Sequence, residues 1–450
     1  MANDLTQGSI GRWLYRLTAP MVLGILSIFL FNLVDTYFIS LLGTQPLAAV
    51  SFTFPVNMVV MNLAIGLSIA TSAVVARSLG QRALDTAQAW VTSSLYLTIC
   101  VGLSIAVLGI LFHHHIFKLM GASDELMPYI SDYMNWWLAG STLLMVMIVI
   151  NASIRASGNT KLPSIAMMSS AGMNVILDPI LIFGIGPIPA MGVKGAAIAS
   201  VLSWLTAFIV MYRYLQKHQL VSYRIPEAIY QYWQKLFTLA IPAAITNMLG
   251  PIANSILIAW IAGFGTAAVA AFGVGMRIEP LAMIVVMAFT SSLPPFVGQN
   301  HGAGEINRIE KALKKSLRFI LFWQTGVYLL LVLIAQPLSA QFSDDADVQH
   351  IIQLFLYMVP LSYIGVGFAL LTTATINALH KPKVSMLVHV MRLFIFYLPG
   401  AWIGQELYGL QGLFIGCAIG NALTGLSVLL LLRSIKRNEK WQQQLLAIHP

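Results

Sequence analysis

"LTAPMVLGILSIFLFNLVDTYFISLLGTQPLAAVSF", residues 17–52, and "LAIPAAITNMLGPIANSILIAWIAGFGTAAVAAFGV", residues 239–274, are one segment written twice. At an offset of 222 positions Pro20 meets Pro242, Gly43 meets Gly265 and Thr44 meets Thr266. The same offset brings "IRASGNTK" from Ile154 onto "INALHKPK" from Ile376. Five residues out of register, "GVKGAAIAS" from Gly192 meets "GLQGLFIGC" from Gly409. The chain is therefore two copies of one unit.

Each unit is membrane material. Of 450 residues 58% are hydrophobic and 9% charged, about a third of the charged fraction of a soluble domain. Twelve apolar runs are each long enough to cross a hydrocarbon core of about 30 Å as a helix. They are 14–39, 51–76, 89–112, 127–154, 162–184, 195–214, 236–260, 268–296, 318–340, 349–379, 384–404 and 411–432. The expected fold is an all-α integral membrane protein with twelve transmembrane helices in two pseudo-symmetric six-helix bundles. An even number of spans gives both halves the same orientation, related by an axis along the membrane normal, with the binding cavity between them. The expected division is an N-terminal lobe at 1–216, a cytoplasmic linker at 217–235, a C-terminal lobe at 236–433 and a cytoplasmic tail at 434–450.

The net charge of +9 is explained by topology. Of the 25 Lys and Arg, 21 fall at the N-terminus and in 77–88, 155–161, 212–235, 298–318, 380–383 and 433–440, and the intervening loops carry just Lys118 and Lys194. That alternation is the positive-inside rule and puts both termini in the cytoplasm. A nucleic-acid partner is not needed to account for it. The start, "MANDLTQGSIGRWLYRL", lacks the short apolar core and cleavage site of a secretory signal, so the first run is expected to remain a helix. Cys100 and Cys417 lie in apolar helices and predict no disulfide.

The segments "VDTYFISLLGTQPLAAVS" (34–51), "RASGNTKLPS" (155–164) and "NVILDPILIFGIGPIPAMGVKGAAIAS" (174–200) resemble those of the multidrug and toxic compound extrusion (MATE) exporters, over essentially the whole chain. The resemblance implies twelve helices in two lobes and export of organic cations in exchange for protons or sodium. The chain is similar to the DinF-like branch, because its acids Asp35 and Asp178 sit in the first half. The seventh and tenth helices carry no acid, a departure from the NorM-like branch. By resemblance, Asp35, Asn174 and Asp178 form the polar network of the N-terminal lobe, with Tyr133 contributing. Ala196 and Ala197 stand where the family places a hydroxyl on the sixth helix, with Ser200 nearby, and this favours protons over sodium.

The residues carry an argument of their own. A charge at the centre of a spanning helix costs about 2.5–3.5 kcal/mol on insertion scales, so it is tolerated where it is used. From helix starts near 17 and 162 the helical rise carries Asp35 and Asp178 roughly 24–27 Å up, to matching height. Asn174 lies one turn from Asp178, and Asn32 three residues before Asp35, giving each acid an amide neighbour. Two carboxylates that share a low-dielectric pocket repel when both are ionised and so bind a proton or cation. The repeat equivalents are Leu257 and Gly400, which confines this chemistry to the first half. Pro20, on the helix of Asp35, is a candidate hinge.

The second half has its own ions. Glu279 and Arg392 lie about 17 and 14 Å deep by helical rise, near the midplane, and form a candidate ion pair. Arg277, two residues from Glu279, points elsewhere. His113–His115, with no acid or cysteine beside them, read as an interfacial loop and not a metal patch. "GQNHGAGEINRIEKALKK" lacks the Gly-Lys-Ser/Thr of a phosphate loop and aligns with "ARSLGQRALDTAQ"; it reads as a cytoplasmic connection.

The sequence thus predicts a secondary transporter of the bacterial cytoplasmic membrane, working as a monomer among membrane lipids. It would export drugs or organic cations against inward protons, with sodium as the second choice and no cofactor or metal. A flippase for a lipid-linked substrate is the alternative, favoured by a strongly cationic central cavity. A membrane-embedded transferase is the reading from another class; the deep acids have no nucleophile and histidine at their height, and the chain carries no nucleotide motif.

Overall fold

The computed structural model describes residues 3–437. Its first half is six helices: α1 (Ile10–Ser40), α2 (Thr44–Gly80), α3 (Leu84–Leu119), α4 (Met127–Ala156), α5 (Lys161–Phe183) and α6 (Gly192–Lys217). The second half contains α7 (Ile229–Ala262), α8 (Thr266–Ala282), α9 (Ile284–Gly302), α10 (Ile306–Phe342), α11 (Ala346–Met358), α12 (Tyr363–Ala378), α13 (Pro382–Val390) and α14 (Leu398–Arg437). Among the described residues there is no strand. The repeat is visible in the backbone: Gly43 (φ 113) and Gly265 (φ 100) occupy the same left-handed turn before α2 and α8, where a side chain would be strained.

Eight α-helices and a π segment in the second half make six spans. α8 and α9 are one span bent by 43° at Met283, just past Pro280, which removes a backbone donor. The Gln324 amide crosses from α10 to the freed Ala282 carbonyl at 3.2 Å, as a polar group at a break inside the bilayer requires. α11 and α12 are one span interrupted at Pro360–Ser362. The last segment divides where the sequence separates 384–404 from 411–432. α13, a π-helical turn at Met391–Tyr397 and α14 follow without a loop, yet Tyr408 and Gly409 leave helical geometry. The chain reverses there. A Cβ on Gly404 would stand 2.0 Å from the Gly412 carbonyl oxygen, and one on Gly400 2.7 Å from that of Gly416. The eleventh and twelfth spans are therefore an antiparallel hairpin zipped by glycines, as in small-residue packing of membrane helices.

Two boundaries differ from the sequence reading. α3 runs through His113–His115 to Leu119, so the expected loop is helix; His113 bonds the Ile110 carbonyl and the Ser131 hydroxyl at 2.8 and 3.1 Å. The linker shortens to 218–228 and is docked: Gln88 donates to the Val221 carbonyl at 3.1 Å and Thr92 accepts from the Ser222 N–H at 3.0 Å. The tail expected at 434–450 lies, from 438 onward, outside the described residues.

Two large apolar cores fill the halves, but they are crossed at one end. The first spans Ile39 to Leu220 and takes in Leu236, Leu239 and Ala240 from the start of α7. The second spans Leu257 to Cys417 and takes in Leu5 ahead of α1 and Ile10, Leu14 and Leu17 from its start. Each half thus lends the foot of its first helix to the other.

Candidate functional site

Asn174 and Asp178 are fully buried on one face of α5, and the Asn174 amide donates to Asp178 Oδ1 at 3.0 Å. Four residues apart on a helix, their side chains meet without distortion. α1 packs along α5 and brings Asp35 within electrostatic reach of Asp178. Tyr133, buried on α4, is within reach of both acids. The matching height read from helical rise is thus realised as one cluster from α1, α4 and α5.

Its hydrogen bonding is incomplete in a specific way. Asp35 Oδ1, Asp178 Oδ2 and Asn174 Oδ1 are enclosed and have no hydrogen-bond partner. All three are acceptors. Enclosed polar atoms are nearly always partnered, and ionised carboxylates can only accept, so what the cluster lacks is positive charge or donors.

Two expected members stand apart. Asn32 is exposed and donates to its own helix at the Ile28 carbonyl, 3.0 Å away, so Asp35 has no amide neighbour of the kind Asp178 has. Ser200 is buried on α6 with no hydrogen bond to Asn174 or Asp178. Pro20 sits in an α1 that is continuous from Ile10 to Ser40. Proline lacks the N–H that would bond the carbonyl four residues back, that of Arg16; the Thr160 hydroxyl approaches this oxygen at 3.5 Å. The Pro20 carbonyl accepts from the Ser164 hydroxyl. α5 thus supplies the foot of α1 with side-chain partners around the proline.

In the second half Glu279 and Arg392 feel each other's charge but make no contact within salt-bridge distance among the described residues. The expected ion pair is a near approach. Arg392 lies on the π-helical turn, with Nε and Nη1 enclosed and unpartnered. Tyr363, Tyr397 and Cys417 lie around Glu279. Arg277 is exposed, and at this depth an exposed arginine is tolerated where it faces water.

Sequence reasoning missed the seam that closes the molecule at the end carrying the basic loops. Gln299 accepts from the Leu5 N–H at 3.0 Å and donates to the Ala156 carbonyl at 2.8 Å. Asn300 donates to the Leu5 carbonyl at 3.2 Å, and Arg308 reaches Gly8 and Leu5 carbonyls at 3.0 and 3.2 Å. Thr18 and Ser292 hydroxyls meet at 2.7 Å. All the side-chain hydrogen bonds that join the halves among the described residues lie at this end. "GQNHG", read as a connection, is the buried last turn of α9; the signal was polar residues at the foot of an apolar run.

Among the described residues no group of three or more His, Cys, Asp or Glu is placed to hold a metal. The family profile described as MatE matches residues 20–180 and 242–403, one stretch in each half. The chain is 39% identical to the FAD transporter of Shewanella oneidensis, over 94% of this chain and 95% of that one. It is 24% identical to the multidrug export protein MepA of Staphylococcus aureus, covering 92% and 91%. Its fold superposes on the Vibrio cholerae MATE transporter VcmN in the bent form with a TM-score of 0.91 at 34% identity, covering 95% and 97%. Two six-span halves, a closed seam at one end and buried acids in the first half thus meet a profile that matches both halves: the chain belongs to the MATE family of membrane transporters.

Proposed function

We propose that the protein is a proton-coupled exporter of the bacterial cytoplasmic membrane, and that Asp35 and Asp178 carry the proton exchanged for substrate. The observation that carries this reading is the trio of enclosed, donor-less oxygens on Asp35, Asn174 and Asp178. A proton on either carboxylate supplies an O–H donor and removes the repulsion between the acids; ionisation restores a polar pocket that draws water. Pro20 gives α1 a place to bend between these states. One inward proton supplies about 1.4 kcal/mol per pH unit and about 2.3 kcal/mol per 100 mV, enough to concentrate a substrate on the far side.

For the substrate we favour an amphipathic dinucleotide of the FAD type over the organic cations expected from sequence. The relative named an FAD transporter matches at 39% over nearly both full chains, the multidrug exporter at 24%. Arg277 and Arg392 in the second half offer cations to a pyrophosphate, and apolar walls suit the rings. With Glu279, Asp35 and Asp178 present, the interior carries both signs of charge, which does not favour the lipid-linked flippase reading. The test is uptake into proteoliposomes under separately imposed proton and sodium gradients, offering FAD and an organic cation. FAD movement driven by the proton gradient supports the proposal; movement of the cation alone, or drive by sodium alone, rejects the substrate or the coupling ion respectively.

A further inference from the structure

We propose that the cleft at the basic end, between the α2–α3 junction and the foot of α7, is a binding site for a phosphate-bearing anion. It is independent of the transport substrate and of the acid cluster. The cleft holds about 360 Å³ and is lined from the first half by Arg77, Ser78, Gln81 and Trp90, and from the second by Tyr232, Lys235 and His380.

Three features point to an anion. Arg77, Lys235 and His380 converge there and no acid lines the cleft; Asp85 and Glu227 adjoin lining residues in sequence but are not part of its wall. Arginine and lysine together are the usual partners of phosphate oxygens. Arg77 Nη1 and His380 Nδ1 are 3.3 Å apart, while His380 Nε2 is enclosed with no hydrogen-bond partner. With Arg77 donating to Nδ1, the guanidinium and the imidazole are held together as one wall of the cleft. Finally, His380 holds a left-handed backbone (φ 61), where its repeat mate is Gly158 (φ 80). A histidine is kept at a position whose backbone favours glycine.

One wall is aromatic: Trp90 and Tyr232 meet edge to face with ring centroids 4.4 Å apart. Tryptophan and tyrosine at this level belong to the membrane interface, and basic pockets between spans on that side bind phosphate headgroups. The phosphate can belong to an anionic lipid or to a soluble molecule. Because the walls come from both halves, occupancy favours the state in which this end is closed.

Native mass spectrometry of the full chain in detergent, titrated with phosphatidylglycerol, phosphatidylcholine and inorganic pyrophosphate, tests the site. The variants are Lys235→Gln, which alters an exposed side chain, and His380→Gly, which relieves the left-handed backbone and so keeps the fold. Selective retention of phosphatidylglycerol, weakened about fivefold by loss of one cation and also weakened in His380→Gly, supports a lipid source. Binding of pyrophosphate with the same variant sensitivity, and no preference between the lipids, supports a soluble source. Equal binding of both lipids with no pyrophosphate bound, or identical binding by wild type and both variants, overturns the proposal.

Discussion

Gly80 and Gly302, equivalent residues of the two halves, face each other's helix across the closed end of the molecule. A Cβ on Gly80 would stand 2.0 Å from the Gln299 carbonyl oxygen, and a Cβ on Gly302 2.1 Å from that of Arg77. Arg77 and Gln299 are themselves repeat mates. The seam is therefore built around the pseudo-two-fold axis, with backbone against backbone where only glycine fits.

Alanine at either position forces the halves apart at this end. For Gly302→Ala the expected result is a shift toward the state open at the basic end, read as maleimide labelling of a cysteine placed at Ser292 in a background lacking Cys100 and Cys417. Labelling as slow as in the glycine parent would show that the contact does not hold the seam.

Gln299 ties three segments, through Leu5 and Ala156, in a buried setting. Gln299→Leu strands one N–H and one carbonyl, each costing about 1–3 kcal/mol when buried and unpaired. Thermal unfolding in detergent is expected to show clear destabilisation, together with faster labelling at Ser292. An unchanged unfolding midpoint would mean that water or neighbours replace both bonds.

How much of this was legible is best judged from single residues. Pro20, Gly43 and Thr44 meeting their mates at a fixed offset gave the two-fold architecture, because a repeat is a property of the chain. Asp178 and Asn174 were legible because a helix places residues four apart side by side. Asn32 was not: a side chain on a helix can bond its own Ile28 carbonyl, and spacing does not distinguish that from reaching Asp35. The hairpin of the last two spans was legible as well: its reversal at Tyr408–Gly409 falls in the gap between the apolar runs 384–404 and 411–432, where Gln405, Glu406 and Gln411 interrupt the hydrophobic pattern. Gln299 and Gly302 were invisible as a seam because their partners, Leu5 and Arg77, lie more than 200 positions away.

Acid should weaken the seam through His380. Burial pushes its pKa down to about 4, opposed by the Ala73 carbonyl and helped by Arg77, His301 and Lys235, from a free value of 6.5. Between these values the unfolded chain holds the proton and the closed seam does not. Stability is therefore complete above about 6.5 and falls as pH drops toward 4. His380→Asn, which keeps a residue suited to the left-handed backbone, is expected to lose less stability than wild type between pH 7 and pH 5. An equal loss in both would place the acid sensitivity elsewhere.

Asp178→Asn removes the charge and keeps the size and burial of the side chain. The expected outcome is wild-type insertion and unfolding behaviour with gradient-driven transport severely reduced. Transport at the wild-type rate would make Asp178 a structural hydrogen-bonding group.

The central claim is that substrate and proton exclude one another through Asp35 and Asp178, and linkage then requires substrate binding to expel protons. Calorimetry of FAD binding to the purified protein, repeated in buffers of differing ionisation enthalpy, counts those protons directly. The account predicts net release in wild type and much less in Asp35→Asn and Asp178→Asn; equal release from all three proteins, or release only when sodium is present, would contradict it.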